Sequence, residues 1–290
     1  MTSIEQIVGM SRSLMAGALG NEVSRLSSSY TPGDTSIKLR HEKRIGDGSV
    51  LSVGLTTLVA AQSTTGSEIA VVAGYDGSPD QSSSTDTLVH LRPRHTTFQV
   101  YREVTATIQE IASPKHGLYG VTSETFPVDT VDGTYVLGAA PLKVLRVRYL
   151  RPGSTDEWHD VAWSFQPGAP AGPMIRSGQA PGGSIIQVQY AVPFSIPERL
   201  DDTMESLNIP EEYTRLLSVG AARNLSLSTE SRRSQVFSQG DPRRAEEVPT
   251  TGNVVVYDRL VRQFRELVAD ARARLVQQHP YRHQMEQFSA

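Results

Sequence analysis

Residues Ala73 to Thr97, AGYDGSPDQSSSTDTLVHLRPRHTT, bring three aspartates, a serine run and two histidines into one short stretch. Asp76, Ser78 and Asp80 match the first three oxygen positions of a calcium loop. No glutamate follows where such a loop needs a two-oxygen ligand, and no helix pattern precedes it. Asp, Gly, Ser and Pro are also the residues that tight turns select. The stretch is therefore read as a hairpin turn that delivers the chain into a helix.

Other chemistry is sparse. His41, His90, His95, His116, His159, His279 and His283 never form a helical metal pair with a carboxylate. His279 and His283 are separated by Pro280, which breaks the helix that would align them. There is no GxSxG turn for a serine nucleophile and no glycine-rich phosphate cradle. With no cysteine, thiolate chemistry, thiolate zinc sites and disulfides are excluded. Asp156, Glu157 and Asp160 flank Trp158 and Trp163, the ingredients of a sugar cleft. Alternating aromatics on a strand produce the same pattern by face packing. No catalytic residue, metal site or cofactor is assigned, and the chain is expected not to be an enzyme.

The bulk numbers narrow the class. The 290 residues are 38% hydrophobic and 20% charged, a globular balance, and the net charge of −3 is not that of a free nucleic-acid binder. No apolar run reaches transmembrane length, so no membrane partner is expected. Glu5 stands where a signal peptide needs positive charge. The chain is expected to act in a reducing compartment, or else to rely on packing and assembly in place of disulfides.

Positioning falls to alternating helical and β segments. Ser3 to Leu26 recurs at helical spacing behind a serine cap. Short β-type runs fill 36–93, and QSTTGSE looks like a hairpin turn between two of them. Thr96 or Thr97 caps a helix to about Ala112, with Phe98, Tyr101, Val104, Thr105, Ile108 and Ile111 on one face. The β period returns from Leu118 to Phe194. Pro210 opens a helix whose stripe is Tyr213, Leu216, Leu217, Ala221 and Leu225. Val254 to His279 is the strongest helix, with Leu260, Phe264, Leu267 and Leu275 on its apolar face.

These spans predict an α+β fold: a helical bundle core of N-terminal, middle and long C-terminal helices carrying two inserted antiparallel β modules. The expected parts are an N-terminal helix (1–35), a small barrel-like module (36–95), a middle helix (96–114), a sandwich-like module (115–196), C-terminal helices (197–279) and a tail (280–290). Tyr213, Leu217, Leu260, Phe264 and Leu267 are candidates for the core or a subunit interface. Lys38, Arg40, Lys43 and Arg44 form the basic cluster best suited to touch a passing duplex, although a solvated strand face gives the same pattern. Tyr281, Met285 and Phe288 lie on a tail too short to bury them.

Three segments carry a resemblance: VVAGYDGSPDQSSSTDTLVHLRPRHTTFQVYREVTATIQEI, PEEYTRLLSVGAARNLSLSTESRR and YDRLVRQFRELVADARARLVQQHPYR. In them the chain resembles the head–tail connector (adaptor) proteins of long-tailed bacteriophages, particularly those of actinobacteria. The resemblance implies a structural virion protein made in the host cytoplasm and placed at the neck. It implies a ring, typically of twelve copies, beneath the portal protein, offering a surface to the tail or stopper and a channel that DNA touches transiently. It implies a small helical bundle with β elaborations. It also implies that the C-terminal end, with Tyr281, Arg282, His283, Met285 and Phe288, docks on the portal. A tail or baseplate module that binds carbohydrate or a receptor through Tyr149, Trp158 and Trp163 is the alternative.

Overall fold

The computed structural model describes residues 1–16, 22–128, 133–178, 180–238 and 250–279. Its residues cluster into two compact units. One comprises Met1–Ile108, Ile196–Met204 and Glu211–Glu266; the other comprises Gln109–Ser195, Glu205–Pro210 and the chain from Leu267.

Within the first unit, six strands form one sheet: β1 (Glu22–Arg25), β2 (Ser36–Ile45), β3 (Val50–Val53), β4 (Thr56–Ala60), β5 (Thr64–Ala73) and β6 (Leu88–Leu91). Their order is β1-β6-β3-β4-β5-β2. An antiparallel bridge between Leu26 and Leu39 returns the sheet toward its starting strand, and Ser27 N donates to Lys38 O at 2.8 Å. The result is a nearly closed barrel, which leaves few open edges. Alternation sends Leu26, Leu39, Leu51, Leu58, Ile69 and Leu91 inward, where each is essentially fully buried. Burial of each such side chain contributes about 2 kcal/mol relative to exposure.

Within the second unit the strands are β7 (Gly120–Pro127), β8 (Thr134–Val136), β9 (Lys143–Leu150), β10 (Trp158–Asp160), β11 (Trp163–Gln166), β12 (Met174–Ser177) and β13 (Ile185–Val192). They make a four-stranded sheet, β10-β9-β13-β7, and a three-stranded sheet, β11-β12-β8. Ile186, Val188, Tyr190 and Val147 share one core with Tyr135 and Ile175. EWHDVAWSFQP, read as one strand, is split: β10 and β11 join different sheets, and the chain crosses at Val161–Ala162. A register shift sets Gln189 opposite Arg146 and Tyr190 opposite Val144, so Leu145 is an extra residue. This bulge is why Val144 and Leu145 are both buried and the alternation of β9 reads imperfectly.

Four α-helices occur among the described residues: α1 (Ile4–Ala16), α2 (Thr97–Ala112), α3 (Thr214–Ser238) and α4 (Thr250–Gln278). In the first unit α3 is buried all round from Leu216 to Ala222. A Cβ on Gly220 would overlap Thr107 Cγ2 of α2 and lie 3.0 Å from Phe264 of α4. The Arg223 guanidinium sits 4.1 Å from the Phe264 ring centre.

The expected helical-bundle core with inserted β modules is not what the chain forms. Thirteen strands in three sheets dominate the described residues, and they enclose hydrophobic cores of their own. The β segments are not outgrowths; the barrel alone buries thirteen residues in its core. Tertiary pairing also overrides local period at the N-terminus, where Glu22–Arg25 pairs with β6 instead of extending α1. The expected β5–β6 hairpin is absent as well, because β6 lies between β1 and β3.

Candidate functional site

The aspartate-rich stretch is a strap between β5 and β6, and its carboxylates have structural partners. Asp76 adopts φ 59°, a left-handed conformation that aspartate tolerates better than most residues. Its Oδ2 accepts a hydrogen bond from Thr96 Oγ1 at 3.2 Å. Asp80 accepts from Tyr30 Oη at 2.6 Å and Gly33 N at 2.9 Å. Burial and this carboxylate push the Tyr30 phenol pKa up. Asp86 pairs with Arg40, and its carbonyl accepts from Arg25 Nη1 at 2.9 Å. Asp80→Ala is expected to lower stability by about 1 kcal/mol. The expected change is a lower melting temperature with faster amide exchange at Tyr30–Gly33; no change in either would deny Asp80 that role.

The end of the strap organises α2. Thr96 Oγ1 accepts from Gln99 N at 3.1 Å while Gln99 Oε1 accepts from Thr96 N at 3.2 Å, a reciprocal cap. Next to it lies a polar node built on α1. Arg12 of α1 is only 9% exposed. Its Nη2 donates to His95 O at 3.2 Å and Thr97 Oγ1 at 2.9 Å. Ser52 Oγ donates to Thr97 Oγ1 at 2.8 Å and accepts from Thr97 N at 2.9 Å. Burial lowers the Arg12 pKa to about 10, so it stays charged at neutral pH. His90 stands opposite Ser52 in the β3–β6 register. Burial, then the charge of Arg12, lowers its pKa from 6.5 to about 4. The signal was present in α1: Ser11 and Arg12 continue the stripe begun by Ile4, Ile7 and Val8.

The basic strand is not an open cationic strip. Lys38 pairs with Glu68 at 3.8 Å, Arg40 with Asp86 and Lys43 with Glu22 at 3.1 Å. The Arg44 carbonyl accepts from Arg92 Nη2 at 2.8 Å. These carboxylates offset much of the field that a duplex would meet.

The three aromatics of the sugar-binding alternative do not share a face. Tyr149 and Trp163 pack against the sandwich core. Trp158 lies across from Leu150, and Arg148 sits 4.5 Å from its ring centre. Arg148 Nε also donates to Gln187 Oε1 at 2.7 Å.

A cavity of about 220 Å³ opens where β9 and β13 meet the Val161–Ala162 crossing and the end of α4. Arg146, Asp160, Trp163, Gln189, Gln278 and His279 help line it. Arg146 Nε donates to Asp160 Oδ1 at 2.6 Å, so these charges neutralise each other. The remaining polar lining is amide and imidazole, and burial lowers the His279 pKa. Such a pocket suits a small neutral polar group. Among the described residues no cluster of three His, Asp or Glu side chains is placed to hold a metal ion.

Of the helical candidates, Tyr213, Leu217, Leu260 and Phe264 are buried and Leu267 is partly buried. They are packing residues of the protomer. Tyr281, Arg282, His283, Met285 and Phe288 lie outside the described residues. No described helix is long and apolar enough to cross a membrane.

No protein-family model matches the chain. No curated protein matches its sequence.

Proposed function

We propose that the chain is a structural subunit of a bacteriophage neck, an adaptor that forms a ring between the portal and the tail or stopper. The observation that carries this reading is the one-sided burial of α4, the longest helix. Its 29 residues extend about 44 Å. Leu260, Phe264, Val268, Ala271 and Leu275 are buried on one side, whereas Val255 and Val276 are 66% and 67% exposed. A long helix covered on one side, with bare valines near both ends, suits a protomer that completes its burial against further copies.

The three segments behind the resemblance support the reading only in part, because the first does not form a hairpin. The first ends as a strand followed by a capped helix, the second is α3 and the third runs along α4 up to His279. The bundle architecture that the resemblance implied does not support the reading. The adaptor would instead contain a barrel in one compact unit and a sandwich in the other. Twelve copies and the portal, stopper and passing duplex as partners belong to this proposal.

Native mass spectrometry of the purified chain, with and without portal protein, tests it. The expected result is monomer or mixed small species alone and one closed ring on the portal. The same small closed oligomer in both samples, such as a tight tetramer, would overturn the adaptor reading.

A further inference from the structure

The outer face of the four-stranded sheet carries a row of polar side chains. Arg146 lies directly opposite Gln189 in the β9–β13 register, and Asp160 lies opposite Arg148 in the β10–β9 register. Directly paired residues, and those two along a strand, share one face of a sheet. Arg146, Arg148, Asp160, Gln187 and Gln189 therefore stand together, on the side away from the core residues Val147, Val188 and Tyr190. The register shift that follows Gln189 adds Leu145 beside them.

Arg146, Asp160 and Gln189 are the part of this row that lines the cavity of about 220 Å³. Leu145, Val161 and Trp163 supply apolar wall, and Gln278 and His279 close it from the end of α4. Every lining residue belongs to the second compact unit. The neighbouring Arg148 is not part of the wall; its Nε donates to Gln187 and its guanidinium lies over Trp158.

The chemistry of this wall selects its ligand. Arg146 and Asp160 neutralise each other at 2.6 Å, so the cavity holds no net charge to attract an ion. The end of α4 adds partial negative charge, which disfavours anions. Gln189 and Gln278 each offer amide donors and a carbonyl acceptor. His279, whose pKa is lowered by burial, is a neutral imidazole at pH 7 and offers one donor and one acceptor. A hydroxyl group is likewise both donor and acceptor, so a compact polyol matches such a wall. The volume corresponds to about seven water molecules, below the ~300 Å³ at which drug-sized sites begin, and so admits one small ring. The C–H face of that ring would rest on Leu145, Val161 and the Trp163 indole.

We infer that this cavity binds a single neutral pyranose sugar. The site differs from an aromatic platform: Trp163 is the one indole in its wall, and the amides, imidazole and closed ion pair fix the orientation of the sugar. The inference is independent of the adaptor reading.

Nuclear magnetic resonance titration of the isotope-labelled full-length chain with glucose, galactose, mannose and N-acetylglucosamine tests it. At least one of these should move the Gln189 side-chain amide and Trp163 indole signals saturably. Glucuronate and glucosamine, which add a negative and a positive charge, should bind more weakly than the parent sugar. Gln189→Leu removes the amide while keeping the bulk of the side chain, and should weaken binding about fivefold. Gln278→Ala, at an exposed position, should also weaken it without touching the sheet. Gln166→Leu, on β11 outside the cavity, should leave binding as it is. Tighter binding of a methyl glycoside than of the free sugar would assign the site to the end of a glycan, and the reverse to a free monosaccharide. No saturable shift with any of the four sugars would overturn the inference. So would equal or tighter binding of a charged analogue, or undiminished binding in both Gln189→Leu and Gln278→Ala.

Discussion

Gly220→Val is expected to destabilise the protein by about 3 kcal/mol. The position has no room for a Cβ, because Thr107 of α2 and Phe264 of α4 close on it from two sides. Thr107 is fully buried and its Oγ1 donates to Glu103 O at 2.7 Å, so rotating it away would break that bond. The helices must then separate, and the packing around Leu216, Leu217 and Ala221 loosens with them. Thr107→Ala removes the obstructing methyl, so the double variant should recover a substantial part of the loss. Chemical denaturation of the two single variants and the double variant measures this coupling. An unchanged denaturation midpoint for Gly220→Val would show that the crossing is looser than its geometry implies.

Acidification is expected to cost about 2 kcal/mol through His90, allowing for the water contact this side chain keeps. The folded state holds its pKa near 4, below the ordinary 6.5, because the ring is buried and Arg12 lies close by. As pH falls, the unfolded chain therefore binds the proton first. The stabilisation is complete above about pH 6.5, declines from there to about pH 4 and then levels off. Melting temperatures measured from pH 7.5 to 4.0 should fall more steeply in the wild type than in His90→Gln. Parallel curves would remove His90 as the cause. The loss concerns the seat of α1 and the start of α2 on the barrel, since Arg12 and Thr97 hold both there.

What could be read from the sequence was mostly local. The cap on α2 is written in Thr96 and Gln99, three residues apart. The stripes of α3 and α4 emerge at helical spacing, and every residue from Tyr213 to Leu225 assigned to the first stripe is buried. Non-local pairing was not legible. Val23 and Leu26 continue the spacing of α1 and so read as helix, yet their partners lie on β6 and β2. The aspartates of the strap read as turn residues, and nothing nearby in the sequence reveals Tyr30, Gly33 or Arg40 as their partners. The lining of the cavity was equally hidden. Arg146, Asp160, Gln189 and His279 meet only after the sandwich and the end of α4 are in place.

The closure of the barrel sets an order on biosynthesis. Glu22 pairs with Leu91, so the first strand to leave the ribosome waits for the last strand of its sheet. Until then β1 and β3 present unpaired edges, and hydrophobic side chains such as Leu51 and Val53 remain open to misassociation. Pairing strands so far apart in the chain is slow compared with winding helices. The nascent chain is therefore most vulnerable to aggregation between the emergence of β3 and that of β6, and holding chaperones would act with greatest effect in that interval.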